Sequence, residues 1–198
     1  AASLGAAFNA TTREELVSYY LTVVADSVEG GMQFLDAALR GAQFREDELR
    51  REKVVVLGEY DRAESSPYFR LDERIGHQLW GSFWSRKNTI GDRAVISGVT
   101  PEQMRTIRDL YYVPNNSALI VAGEVQAERI FALAERIFGE WPRGADPFVR
   151  APVPAVPPLA ESRGVIVEEQ VNAVTVQIQW HGPGASADQD ATFAADVF

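Results

Sequence analysis

Six of the ten prolines fall between Pro142 and Pro158. Proline fixes φ and has no amide donor, so this stretch suits neither a helix interior nor a central strand. It reads as an extended, semi-rigid linker. The 198 residues thereby divide into a body, 1–141, a linker, 142–160, and a tail, 161–198. The tail is too short to bury a core of its own, so it reads as the opening of a second domain. Both ends read as the edges of a fragment. The chain opens Ala-Ala-Ser-Leu-Gly with no signal-peptide pattern, and residues 190–198 read as a helix that stops mid-pattern.

The body begins with two segments that suit an antiparallel strand pair, 5–12 and 16–24, the second rich in β-branched and aromatic residues. Asp26, three before Glu29, predicts a capping-box start. Val28, Met32, Leu35 and Leu39 then mark one helical face. Further helices are expected over 45–64, 67–80 and 125–138, with 81–99 irregular. Thr100-Pro101-Glu102-Gln103 predicts a helix start with an N-cap, a proline at the first position and a glutamine three after the cap. Residues 112–116 predict a turn, and Ser117 to Ala122 a short buried strand ending at Gly123. In the tail, Val174, Val176, Ile178 and Trp180 alternate with polar residues, the pattern of a half-buried strand. An antiparallel start with no regular βαβ alternation argues for an α+β fold.

Composition narrows the chemistry. A net charge of −9 without a basic stripe argues against nucleic-acid binding. No apolar run approaches the ~18–20 residues of a transmembrane helix. The absence of cysteine removes thiol nucleophiles, disulfides and Cys-ligated metals. The two histidines, His77 and His181, are far apart, and neither has a histidine or glutamate at helical ligand spacing. His77 reads as an ordinary helix residue and His181 as a structural residue ending the tail strand.

The stretch with chemical content is Arg50-Arg51-Glu52-Lys53-Val54-Val55-Val56-Leu57-Gly58-Glu59. Two helical turns span about 7.2 residues, so Glu52 and Glu59 project on nearly one side. Three consecutive valines are unusual on a solvated helix and suggest a largely buried one. A buried carboxylate pair needs a metal, a base or hydrogen-bond donors. Spacing alone favours the plainer alternative of solvated or salt-bridged glutamates.

The motif Glu-x-x-Val-Val-Leu-Gly-Glu resembles the corresponding helix of the pitrilysin, insulinase and mitochondrial processing peptidase family, the inverzincins. Other segments follow that family's order: Asn9-Ala10-Thr11-Thr12 with Val17-Ser18-Tyr19-Tyr20, Ile90-Gly91, Val99-Thr100-Pro101-Glu102, Tyr112-x-Pro114-x-Asn116, and Leu119 through Glu124. The resemblance implies a truncated processing-peptidase-like fold, with a mixed or antiparallel sheet packed against helices. Residues 1–141 would be most of the first lobe and 161–198 the start of the second. It implies a zinc-dependent endopeptidase in which Glu59 is a Zn²⁺ ligand and Glu52 supports the site from behind. Asn9, Ala10 and Thr11 would form the edge strand that receives an extended peptide; an ordinary strand with a polar face is the alternative. The inverted motif His-x-x-Glu-His, with its histidine ligands and general base, is not in this sequence. Without it the chain is expected to be inactive alone and to bind zinc weakly or not at all. The family also implies a second homologous half or partner subunit. The competing reading is a non-catalytic partner or scaffold subunit of the same fold, although retention of both Glu52 and Glu59 favours the catalytic one.

Overall fold

A computed structural model describes residues 5–184 and 187–197. The predicted hairpin is present: β1 (Ala7–Thr12) pairs antiparallel with β2 (Val17–Thr22). Helices follow: α1 (Val28–Arg40), α2 (Glu46–Glu64), α3 (Phe69–Trp80), α4 (Trp84–Lys87), α5 (Arg93–Gly98), α6 (Pro101–Tyr111), α7 (Ala127–Phe138), α8 (Pro147–Arg150) and α9 (Gln189–Val197). The expected terminal helix is thus α9; its last expected residue, Phe198, lies outside the described residues. The architecture is α+β. Among the described residues, no helix is long and apolar enough to cross a membrane.

The chain forms two compact units. The first takes residues 1–57 and 93–154. In it, one face of the hairpin packs on α1: Phe8 lies 5.4 Å from Phe34, ring centroid to centroid. A Cβ on Gly31 would come within 3.0 Å of Leu21 Cδ1, so glycine is what admits this close approach. Met32, Val113, Leu133 and Pro147 are buried here. Glu29 of α1 pairs with Arg136 of α7 at 2.5 Å. α6 starts as predicted, with Thr100 and Gln103 capping each other reciprocally.

The second unit takes residues 58–92 and 155–198. Buried Tyr60 meets Phe69 edge-on at 5.5 Å, and Gly76 of α3 lies against the Trp84 indole. The extended tail is held along α3 by Arg70–Glu169 (2.9 Å) and by Arg163 Nη1 donating to Gln78 Oε1 (3.2 Å).

Several local expectations change. The α1 cap is Ser27, without a side-chain bond, because Asp26 sits in a 3₁₀ turn over Ala25–Ser27. Glu29 is drawn to Arg136 instead of folding back on the cap. Residues 81–99 are not simply irregular: a 3₁₀ turn, α4 and α5 fall there, with Gly81 at φ 52° closing α3. Residues 117–122 and 174–180 are not strands. Both keep an apolar pattern, but neither has a ladder partner among the described residues, and Ile120, Val174 and Ile178 are exposed. Nor is α2 largely buried: Val54 and Val55 are exposed, because no element of the chain covers that face among the described residues.

Candidate functional site

α2 carries the two candidate carboxylates. Its first turn is acidic, with Glu46, Asp47 and Glu48, which suits the positive end of a helix dipole. Glu52 and Glu59 lie about 20° apart around the axis by helical periodicity. Both are exposed, and neither carboxylate has a hydrogen bond or ion pair among the described residues. Each is therefore available as an oxygen donor. Glu59 fits as one zinc ligand by the chemistry of its carboxylate. Among the described residues no three His, Cys, Asp or Glu side chains cluster closely enough to hold a metal, so a complete donor set is not found within them.

The hairpin gives Asn9, Ala10 and Thr11 distinct positions. Arg13 N–H donates to Leu16 C=O at 2.8 Å, which makes 13:16 a hydrogen-bonded pair. Pairing then alternates, so Thr11:Ser18 and Asn9:Tyr20 exchange backbone bonds while Ala10:Tyr19 does not. The N–H and C=O of Phe8, Ala10 and Thr12 consequently face the outer edge of β1. Ala10 N–H instead meets the side-chain oxygen of Asn9 at 2.8 Å. The side chains of Phe8, Ala10, Tyr19 and Leu21 share the face toward α1, and Asn9 and Thr11 project from the opposite face. The Asn-Ala-Thr segment is thus an edge with outward backbone groups, two of its side chains on one face and the third on the other.

Sequence reasoning did not single out the residues that hold these elements. Tyr19, opposite Ala10, hydrogen-bonds through its hydroxyl to the Tyr112 hydroxyl at the end of α6, at 2.7 Å. Burial, reinforced by that bond, pushes the Tyr112 phenol well above its ordinary range. Arg108 of α6 donates through Nη1 to Ala42 C=O at 2.6 Å, just before α2. A hairpin register drawn from the sequence would have placed Tyr19 behind Ala10; nothing local marks Arg108.

Both histidines belong to the second unit. His77 lies on α3 with its ring 5.8 Å from Trp84. His181 follows an unpaired segment rather than a strand; it stacks on Trp80 at 4.6 Å, and its Nε2 bonds Leu79 C=O at 2.8 Å.

With this geometry in view, the comparisons are specific. A family model described as Insulinase (Peptidase family M16) matches residues 1–90, and one described as Peptidase M16 inactive domain matches residues 98–198. The chain belongs to peptidase family M16, the insulinase family. This M16 chain is 27% identical over 141 residues to an uncharacterized zinc protease of Rickettsia felis, covering 71% of this chain and 34% of that protein. It is 22% identical over 139 residues to a probable mitochondrial-processing peptidase subunit beta of Arabidopsis thaliana, covering 68% of this chain and 25% of that one. Its fold matches the crystal structure of a protease from Helicobacter pylori with a TM-score of 0.66 at 22% identity, over 79% of this chain and 36% of the other. The α+β fold expected from the resemblance is that of M16 proteases. The chain spans about a third or less of the length of these relatives. The Rickettsia felis relative is named a zinc protease, which implies Zn²⁺ as the metal of the family.

Proposed function

We propose that this chain is part of a zinc-dependent endopeptidase that hydrolyses extended peptides. The observation that supports the reading is an M16 match over both parts of the chain joined to a helix, α2, whose Glu52 and Glu59 are exposed and unpartnered among the described residues. Glu59 would hold the metal together with two histidines from outside this chain. Glu52 would align that environment, as carboxylates behind metal ligands do. Zinc, when bound, supplies a water of lowered pKa and polarisation of the scissile carbonyl.

The chain's own contribution is to bind and orient. The outer edge of β1, unpaired among the described residues, offers the N–H and C=O of Phe8, Ala10 and Thr12 to a strand laid beside it, and Ala10 N–H must then exchange its Asn9 bond for the peptide. Main-chain pairing of this kind accepts varied side chains. Residues 1–141 would form most of one lobe, 142–160 the connection, and 161–198 the start of the next. A second homologous half, in the same chain or in a partner subunit, would close a chamber around the peptide; the similarity to a processing-peptidase subunit favours this arrangement.

A non-catalytic partner subunit of the same fold is the second reading, favoured by the inactive-domain description of the model matching 98–198. One experiment separates them. The complete polypeptide, supplied with its partner half, is assayed on an unstructured peptide before and after treatment with a zinc chelator. Cleavage that stops on chelation and returns with added Zn²⁺ supports the peptidase. No cleavage in any metal state supports the scaffold.

A further inference from the structure

The turn that delivers the chain into α2 contains an unusual residue. Phe44 has φ 50°, and among the described residues it is the non-glycine residue at positive φ. A bulky L-residue there is strained by its own Cβ, and such strain persists only where the surroundings over-determine the conformation. Glycine would adopt this φ freely.

The surroundings come from α6. Arg108 donates from Nη1 to Ala42 C=O at 2.6 Å, and Arg105 Nη2 donates to Gln43 C=O at 3.4 Å. The Arg108 guanidinium lies 5.7 Å from the centre of the Phe44 ring. Its remaining side is held by Asp109, with Nε at 2.9 Å and Nη2 at 2.8 Å from Oδ1. One planar cation therefore grips a carbonyl, an aromatic face and a carboxylate, which a lysine cannot reproduce. Helical bonding begins at once after the turn, with Leu49 N–H on Arg45 C=O at 2.9 Å.

The first half of α2 is otherwise lightly held. Lys53 Nζ reaches Ser97 C=O at 3.0 Å, while Glu52, Val54 and Val55 are exposed. The start of the helix takes its direction from this turn, and a small rotation there displaces the side chain of Glu52, two turns on.

We infer that Arg108 is a positioning residue: by clamping Phe44 and Ala42 it sets the angle at which α2 leaves the turn, and so places the carboxylate of Glu52. The inference rests on the proposed role of Glu52 in supporting a metal held by Glu59. Strain at Phe44 has a purpose on this account, because the ring that strains the turn is the surface the guanidinium grips.

The test uses the complete protein with Arg108→Ala, Arg108→Lys, Phe44→Gly and, as reference, Glu59→Gln. Zinc affinity is measured by competition with a chromophoric chelator, KM and kcat on peptide, and amide hydrogen exchange on the metal-free protein. Arg108→Ala and Phe44→Gly are each expected to weaken zinc roughly tenfold, the lower end of what support residues contribute. They should lower kcat, leave KM within about twofold because the β1 edge is untouched, and speed exchange in the first turn of α2. Arg108→Lys should recover part of the loss. Phe44→Gly removes strain, so it keeps the question open if Arg108→Ala fails to fold. Zinc affinity within twofold of wild type in both variants, while Glu59→Gln has lost zinc, overturns the clamp and leaves the Glu59 assignment standing. If Glu59→Gln keeps its zinc, the underlying reading has failed; exchange in the metal-free protein then decides the clamp alone, faster in the first turn of α2 if it is right, unchanged if it is wrong.

Discussion

The hydroxyls of Tyr19 and Tyr112 lie 2.7 Å apart, and this bond fastens the strand behind Ala10 to the end of α6. Tyr112 is half-buried, and burial first, then the bond to Tyr19, raises its pKa in the folded protein. The unfolded chain releases this proton near pH 10, the ordinary tyrosine value. Above that pH the native state holds more protons than the unfolded one, so stability falls as pH rises. Urea unfolding of the wild type should therefore show a decline above about pH 10 that is smaller in Tyr112→Phe. At neutral pH that variant should lose about 1 kcal/mol, the usual net value of one hydrogen bond. Equal alkaline slopes in the two proteins would contradict the burial of this phenol.

Ala10→Pro separates the outer edge of β1 from the hairpin itself. Ala10 N–H faces away from β2, so proline at this position removes an outward donor and leaves the ladder intact. In the complete protein KM for peptide should rise about three- to tenfold, the equivalent of one hydrogen bond, with little change in melting temperature. Thr11→Pro removes a donor that faces Ser18 and should lower the melting temperature. An unchanged KM in Ala10→Pro would argue against strand addition at this edge.

Gly76→Ala tests the packing of the second unit. Inside an exposed helix this change would stabilise by about 1 kcal/mol. Here the new Cβ would overlap the Trp84 indole, so the ring must shift or the helix must move. Overpacking of this kind costs about 1–3 kcal/mol. The expected melting temperature is lower than wild type; a higher one would mean that Trp84 does not lie against α3.

What could be read in advance follows the range of the forces involved. α6 begins after Thr100 because its cap is made by residues three apart, and the hairpin forms because both strands and their turn lie within 16 residues. The tail alternation from Val174 to Trp180 predicted a strand, yet alternation describes faces and not partners, and no ladder forms there among the described residues. The valines of α2 predicted a largely buried helix, and Val54 and Val55 are exposed. At the site, helical spacing put Glu52 and Glu59 on one side, and the family motif singled them out. Arg108 was not legible, because its contacts to Ala42 and Phe44 span more than sixty residues and depend on a positive φ that phenylalanine does not advertise.

Glu59→Gln in the complete protein is the most direct test, with zinc content read by metal analysis and peptide turnover measured on the same sample. Glutamine keeps the size of the side chain and removes its negative charge. Loss of most of the bound zinc together with turnover, at an unchanged melting temperature of the metal-free form, is the predicted result. Wild-type zinc content and turnover would show that this carboxylate is not a ligand.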